Sequence, residues 1–344
     1  MRRLTRFRRL QLTRHAAVAA CAALVLVGCN SDSGTAPSAT TAAFDRVWRA
    51  FDETYPFFEL KGVNWPAART TYAPQAAAAG DITALNTVLV EMLAQLRDIH
   101  VSLESPQGGR TPTWTPTAAR NWDSALWQTV IARAGWVQAK VNLGRGRIDG
   151  IPYMAIGSWN GSQFTTGDLD AILEEFRGDS ALIIDVRPNG GGNDALALDL
   201  ARRFIDAPTV TERFRFRTGP RPTDLGNEIT RTITPRGPWT FTGRVYVLSG
   251  RGVFSSNESF IAAMREAPRA VIVGDTTGGA TANPKPVDYY QGWKVWVSTW
   301  YATLPDGQPI EGRGIAPDVY VPWSPTATRD PVIDAAISLA RAPR

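Results

Sequence analysis

The stretch Val245–Thr277 constrains the fold most strongly, because it places two apolar strands on either side of a glycine-punctuated turn and a helix. The β-branched run Val245–Leu248 predicts a buried strand. Residues 249–252 (SGRG) follow as a tight turn, and the pair Ser255-Ser256 stands where the helix would begin. Such a turn exposes a hydroxyl beside the free N–H groups of the first helical turn. The alternative interpretation is that Ser255 only caps the helix.

Residues 1–28 have the composition of a signal peptide, with a basic start and an apolar run too short to span a membrane. They hold six arginines and no acidic residue. Removing these six from the 37 lysines and arginines leaves 31 against 32 acidic residues. The net charge of +5 therefore comes from this segment. The charge of the remaining body gives no reason to expect nucleic-acid binding.

Residues 26–29 (LVGC) resemble the lipobox of bacterial lipoproteins. The resemblance implies cleavage before Cys29 and a diacylglyceryl group on its sulfur. The expected location is the bacterial cell envelope, lipid-anchored at the outer membrane or its periplasmic face. The alternative is an ordinary signal peptide with an incidental cysteine. Residues 29–43 are small, polar and aperiodic, which predicts a flexible tether. Cys21, the other cysteine, lies in the signal peptide, so no disulfide is expected in the mature body.

Apolar residues at helical spacing predict an N-terminal helical subdomain over residues 44–104. Residues 105–150 predict a connecting segment of loop and strands. From residue 151 to 344, strands alternate with helices, which is typical of an α/β core. Residues 207–243 predict an excursion from that core.

Histidine usage narrows the candidates for a general base. The chain has two histidines, and His15 lies in the signal peptide, so only His100 remains in the mature body. Glycines 190–192 follow a buried strand, as a loop needs when backbone N–H groups approach a ligand closely. No metal site and no cofactor are expected. The carboxylates that could orient the base are not ranked by the sequence; they are Glu258, Asp275, Glu311 and Asp318.

Four motifs in order resemble the C-terminal-processing (tail-specific) serine peptidase family: residues 185–192 (DVRPNGGG), 247–258 (VLSGRGVFSSNE), 274–279 (GDTTGG) and 311–318 (EGRGIAPD). The resemblance implies an α/β fold with a crotonase-like ββα core and an N-terminal helical subdomain. It also implies a serine endopeptidase acting on polypeptides. Many relatives carry a PDZ domain, but residues 105–150 are too short for one, so none is expected.

The family has two catalytic versions. One pairs the serine with a lysine, and this chain has Ala280 at that place. The other, like the core of tricorn protease, uses an upstream histidine and a glutamate near the last motif. The resemblance to this version implies Ser255 as nucleophile, His100 as base and Glu311 as the distal acid. It further implies an oxyanion hole made by the backbone N–H groups of Ser256 and Gly191.

One departure from the tricorn-like pattern concerns the residue before the histidine, which is Ile99 instead of a bridging serine. Either Glu311 reaches the histidine by another route, or Asp98 or Ser102 replaces the bridge, or the relay is weaker. Lys285 remains an alternative partner for the serine. A non-catalytic hydrophobic-ligand or peptide-binding protein on the same fold is the alternative function.

Overall fold

The computed structural model describes residues 38–343, so the predicted signal peptide and the lipidation site at Cys29 lie outside the described residues. The helices are α1 (Ala39–Thr54), α2 (Phe58–Lys61), α3 (Trp65–Ala78), α4 (Ile82–Ala94), α5 (Ser124–Arg133), α6 (Thr166–Glu175), α7 (Asp194–Ala201), α8 (Ser256–Arg265) and α9 (Pro331–Arg341). The strands are β1 (Ser102–Glu104), β2 (Arg110–Pro112), β3 (Val137–Lys140), β4 (Leu143–Ile148), β5 (Ile151–Ile156), β6 (Ala181–Asp185), β7 (Thr209–Phe216), β8 (Ile229–Ile233), β9 (Arg244–Ser249), β10 (Ala270–Gly274), β11 (Lys285–Tyr290), β12 (Trp293–Val297), β13 (Trp300–Thr303) and β14 (Val319–Tyr320).

The first helix begins at Ala39, so the predicted tether of residues 29–43 is wrong over its last five residues. The Ser38 hydroxyl accepts a hydrogen bond from the Thr41 N–H at 3.2 Å, which caps the helix. Ala43 is buried in the helical core. The run of small residues has no hydrophobic period, so periodicity does not predict this helix start.

The two predicted amphipathic helices bury the faces that their periodicity indicates. The buried side chains are Phe44, Val47 and Phe51 on α1, and Leu85, Leu89 and Met92 on α4. They form one hydrophobic cluster with Val295 and Val297 of β12. Strand β12 belongs to a four-stranded sheet of order β11-β12-β1-β2, in which β1 pairs antiparallel with β12. A late strand of the chain therefore completes the N-terminal helical region.

A seven-stranded sheet of order β14-β10-β9-β6-β5-β4-β3 forms the α/β core. Strands β5, β6, β9, β10 and β14 run parallel, and β3 and β4 are antiparallel additions at one edge. Side chains alternate between the two faces. Ile184 and Val247 pack into the cluster with α6, α7 and α8, whereas Ile183 and Tyr246 pack into the cluster with α5 and α9. The parallel strands end at one edge, where the loops that follow them meet.

Two segments outside this core contain more regular structure than predicted. Residues 207–243 hold β7 and β8, which form a three-stranded sheet with β13. The connecting segment 105–150 contains α5, which was not predicted; Asp123 caps it by accepting the Leu126 N–H at 2.9 Å. Within residues 38–343, no helix combines the length and apolarity that crossing a bilayer requires.

Candidate active site

Ser255 lies in the turn between β9 and α8 in a backbone conformation that few non-glycine residues adopt. Its φ is 57° and its ψ is −132°. The side chain makes no capping hydrogen bond to the helix, unlike the side chains at the starts of α1, α3, α4 and α5. The backbone is fixed by a 2.8 Å hydrogen bond from the Ser255 N–H to the Ala280 carbonyl. The capping interpretation therefore does not account for this serine, whose hydroxyl remains free at a strained turn.

The glycine loop after β6 approaches this turn so closely that only glycine fits at position 191. A Cβ at Gly191 would lie 2.9 Å from the Ser255 Cβ and 3.0 Å from the Phe254 carbonyl oxygen, and φ there is +116°. The Gly191 N–H already donates to Asn189 Oδ1 at 2.8 Å. The Ser256 N–H has no hydrogen-bond acceptor among the described residues. Both predicted oxyanion donors therefore lie beside Ser255. Among the described residues, the Ser256 N–H is unpaired, whereas the Gly191 N–H is already bonded.

A buried asparagine holds the glycine loop against helix α8. Asn257 is fully buried, and its Nδ2 donates to the carbonyls of Val186 at 3.0 Å and Asn189 at 2.8 Å. Its Oδ1 accepts the indole N–H of Trp159 at 2.9 Å. Because a buried polar group left unpaired costs about 1–3 kcal/mol, these bonds fix the loop relative to the nucleophile turn.

Glu258, one of the unranked carboxylates, serves the loop at residues 277–280. It is buried and accepts the Gly279 N–H at 2.8 Å, the Ala280 N–H at 2.7 Å and the Thr277 hydroxyl. Burial raises its pKa to about 7 against the lowering effect of these donors. Its oxygens are committed to this loop, whose Ala280 carbonyl holds the Ser255 N–H. Glu258 is therefore a support for the nucleophile turn and does not orient the histidine.

His100 lies in the turn between α4 and β1, next to a buried carboxylate. Its Nδ1 is 3.6 Å from Asp98 Oδ1, and its backbone N–H donates to the same oxygen at 2.9 Å. Asp98 Oδ2 accepts the hydroxyls of Tyr55 at 3.2 Å and Ser298 at 2.7 Å. Burial opposes ionisation, but the hydrogen bonds from His100 and Ser298 and the nearby charge of Lys61 outweigh it and lower the pKa of Asp98 to about 2. Asp98 is thus an anion beside the imidazole at neutral pH.

Glu311 is buried in the same neighbourhood but pairs with a lysine. Lys61 Nζ lies 2.6 Å from Glu311 Oε1, and both side chains are largely inaccessible to solvent. Glu311 Oε2 and His100 Nδ1 are buried without a hydrogen-bond partner in the described chain. Burial first, and then the charge of Asp98, raise the pKa of Glu311 to about 7, against the opposing effects of Lys61 and His100. Glu311 therefore interacts with His100 through its charge alone. The carboxylate in direct contact with the imidazole is that of Asp98.

A cavity of about 370 Å³ lies where the segments of the three predicted residues meet. Its lining includes the residues next to them in sequence: Ile99, Phe254 and Gly312. Ala280, which occupies the place of the family's lysine, also lines it. Lys285 is exposed at the start of β11, in the four-stranded sheet. Among the described residues, no group of three or more histidine, cysteine, aspartate or glutamate side chains could hold a metal ion.

Sequence reasoning missed Lys61, which also lines this cavity. No motif surrounds it, and its only signal is rarity, since the body has few lysines. Asp98 was, with Ser102, one of the two residues suggested as a replacement for the serine missing at Ile99, and the contact with His100 favours Asp98.

The sequence profile of Peptidase family S41 matches residues 150–321, half of the chain. The chain belongs to peptidase family S41. A second profile, the Tricorn protease C1 domain, matches residues 40–94. The S41 match contains Ser255 and Glu311, and His100 falls between the two matched ranges.

Individual S41 relatives and solved structures agree with this membership. The "C-terminal processing peptidase, chloroplastic" of Tetradesmus obliquus is 27% identical over 168 residues, covering 48% of this chain and 34% of the relative. The chain thus matches about a third of that curated relative's length. A crystal structure of a candidate peptidase from Parabacteroides merdae ATCC 43184 superposes with a TM-score of 0.79 at 27% identity, covering 88% of this chain and 97% of the other. The photosystem II D1 C-terminal processing protease shares the fold, with a TM-score of 0.54, 17% identity and coverage of 86% and 96%. The predicted α/β fold with an N-terminal helical region is confirmed.

Proposed function

We propose that this S41 family member is a serine endopeptidase that cleaves polypeptides through an acyl-enzyme. The observation that carries the proposal is the free hydroxyl of Ser255 at a strained strand-to-helix turn, in a cleft shared with the segment of His100. A strained turn of this kind presents a nucleophile to solvent and to free N–H groups at the same time. This chain has Ala280 at the place where one version of the family has the lysine that activates the serine.

In the proposed mechanism, Ser255 Oγ attacks the carbonyl carbon of the scissile peptide bond while its proton passes to His100 Nε2. The Nδ1 side of the ring faces Asp98, which leaves Nε2 for the serine. The tetrahedral oxyanion accepts the Ser256 N–H. A second bond from Gly191 requires its N–H to leave Asn189 Oδ1. The protonated imidazole then gives its proton to the leaving amine, and the acyl-enzyme forms.

Deacylation repeats these steps with water as the nucleophile. His100 takes a proton from the water, the hydroxide attacks the ester carbonyl, and Ser255 leaves with the proton returned from the imidazole. Asp98 and Glu311 both stabilise the imidazolium that forms in each half-reaction, Asp98 through contact and Glu311 through its charge. In this proposal, Glu311 remains the distal acid and Asp98 replaces the missing bridge.

Labelling with a peptidyl phosphonate tests the proposal directly. The probe is expected to modify Ser255, and labelling is expected to disappear in Ser255→Ala and His100→Ala. Each substitution should lower kcat by roughly 10³- to 10⁶-fold, and the double variant little further, because the two groups act as a unit. Ser338→Ala, an exposed serine on α9, is the matched control and should label normally.

Two results would contradict this assignment. A folded protein that neither labels nor hydrolyses peptides would favour the non-catalytic binding protein. Loss of activity in Lys285→Ala, with labelling independent of His100, would favour a serine–lysine pair.

The second part of the proposal is a lipid anchor at Cys29 in the bacterial cell envelope. Its support is the resemblance of residues 26–29 to a lipobox after an arginine-rich, apolar leader. Metabolic labelling with a fatty acid should mark the wild-type protein and not Cys29→Ser, which should leave the membrane fraction. Equal labelling of both proteins would remove the anchor from the proposal.

A further inference from the structure

A second cavity, of about 380 Å³, borders the turn that leads into the glycine loop. Three tryptophans line it: Trp122, Trp127 and Trp136. The ring centroids of Trp122 and Trp127 are 6.4 Å apart, and those of Trp127 and Trp136 are 5.4 Å apart in an edge-to-face arrangement. Pro188, which starts the turn into the glycine loop, also lines the cavity. Its volume lies in the range of small-molecule sites, about 300–1,000 Å³.

The walls of this cavity are fixed by buried hydrogen bonds to the core. Asn121 is buried, and its side-chain Nδ2 donates to the Ser249 carbonyl at 2.8 Å. The backbone carbonyl of Asn121 accepts a hydrogen bond from Arg187 Nη1 at 3.0 Å. The indole N–H of Trp127 donates to the Tyr153 hydroxyl at 3.0 Å. The segment that carries Trp122 is therefore anchored to the ends of β6 and β9, so the cavity is pre-formed.

Besides the amides of Gln138 and Asn142, two polar groups of the cavity are donors without an acceptor among the described residues. Trp122 Nε1 is buried and has no hydrogen-bond partner in the part of the chain that the structure describes. Arg120 lines the same cavity and has no ion-pair partner within residues 38–343. No aspartate or glutamate is among the lining residues described. The site thus combines an aromatic wall with one cation and one N–H donor, which together select an anion attached to an apolar group.

We propose that this cavity is a binding site for an aromatic or bulky apolar group that carries a carboxylate. The apolar group lies against Trp127 and Trp136, and the carboxylate accepts hydrogen bonds from Arg120 and from Trp122 Nε1. The chemistry is that of a free aromatic acid or of the last residue of a polypeptide. Its lining has no residue in common with that of the cavity next to Ser255, and residues 120–144, which build most of it, lie outside both matched family profiles.

Calorimetric titration of the Ser255→Ala protein tests the site without any turnover. N-acetyl-L-tryptophan is the probe, and N-acetyl-L-tryptophanamide lacks only its charge. The acid is expected to bind about tenfold more tightly than the amide, because hydrogen bonds to an ionised acceptor are stronger than those to a neutral one. Arg120→Gln and Trp122→Phe should each weaken binding of the acid by about tenfold. Trp122→Phe keeps an aromatic ring in the wall, and Arg133→Gln, on α5, is the matched control that should change nothing.

Two outcomes would overturn the proposal: no binding of the acid at millimolar concentration, or binding that both substitutions leave unchanged. An alanine peptide ending in tryptophan with a free carboxylate separates the two sources. If it binds as tightly as the acid, the ligand is a polypeptide end; if it is excluded while the acid binds, the ligand is a small aromatic acid. Because no hydrolysis is measured, failure here and failure of the peptidase proposal are distinguishable.

Discussion

At the scale of single residues, the two carboxylates near His100 differ because of the donors that surround them. Asp98 accepts two hydroxyls and a backbone N–H, and its pKa is about 2. Glu311 pairs with a lysine through one oxygen, has no hydrogen-bond partner on the other within residues 38–343, and has a pKa of about 7. At neutral pH the Asp98 carboxyl is therefore ionised, whereas the pH is close to the pKa of Glu311.

This difference predicts which carboxylate matters more for turnover. Asp98→Asn is expected to lower kcat by roughly 10²- to 10⁴-fold, because the imidazole loses the anion beside Nδ1. Glu311→Gln is expected to lower kcat by about tenfold, since its charge acts at longer range. Steady-state peptide hydrolysis measures both, with Asp288→Asn, exposed on β11, as the control. The reverse order would make Glu311 the principal partner of the histidine.

The raised pKa of Glu311 also predicts a pH dependence of stability. The group binds its proton more tightly in the folded state, so its contribution is complete below the ordinary value near 4.5 and is lost as the pH rises through about 7. Between pH 4 and pH 8, the free energy of unfolding of the wild type should fall by on the order of 3 kcal/mol relative to Glu311→Gln. Denaturant titrations at several pH values measure this difference. Glu258 has a similarly raised pKa but is present in both proteins and cancels. Parallel pH profiles would contradict the prediction.

At the scale of elements, the site depends on loops that brace one another at the strand ends. Helix α8 reaches the 277–280 loop through Glu258, and the Thr277 hydroxyl in turn accepts the Ile315 N–H at 2.7 Å. The loop that follows Glu311 is therefore coupled to the turn of Ser255. A disturbance at Glu258 acts on both segments.

Glu258→Gln is expected to lower kcat by roughly 10- to 100-fold with little change in KM. The amide presents an NH₂ group to backbone donors, so the 277–280 loop and the Ser255 N–H lose their alignment. Michaelis–Menten kinetics, together with the phosphonate labelling rate, separate misplacement of the serine from weaker substrate binding. Glu266→Gln, exposed at the end of α8, is the matched control. An unchanged kcat would show that the loop holds its place without the carboxylate.

Local sequence signals predicted the elements that carry Ser255 and the glycine loop, because each combines an apolar strand with glycines and a helix start. They did not predict contacts between distant segments. The Lys61–Glu311 pair joins residues far apart in the chain, and the β1–β12 register sets Ser102 opposite Trp296. Neither is encoded by periodicity or by a motif. Helix α5 was missed because tryptophans and prolines before it indicated a loop.

At the scale of the whole molecule, one buried arginine connects the central sheet to the C-terminal helix. Arg187 is inaccessible to solvent and pairs with Asp185 at 2.7 Å and Asp330 at 2.8 Å. Asp330 also caps α9 by accepting the N–H groups of Val332 and Ile333. The glycine loop begins directly after Arg187, so this network sets where that loop starts.

Asp330→Ala is expected to reduce the free energy of unfolding by about 3–5 kcal/mol, because it leaves part of a buried charge uncompensated and removes a helix cap. Chemical denaturation measures the loss. Asp334→Ala, which breaks the exposed pair with Arg329, should cost less than about 1 kcal/mol. Similar costs for the two variants would mean that Arg187 is satisfied by Asp185 alone.

The pairing of β1 with β12 has a consequence for biosynthesis. His100 emerges early from the ribosome, but the strand that holds its turn in place is made about two hundred residues later. The Ser298 hydroxyl that fixes Asp98 follows that strand. The contacts that hold the turn of His100 are therefore incomplete until residues 293–298 are synthesised, and in the proposed mechanism the serine has no positioned base before then.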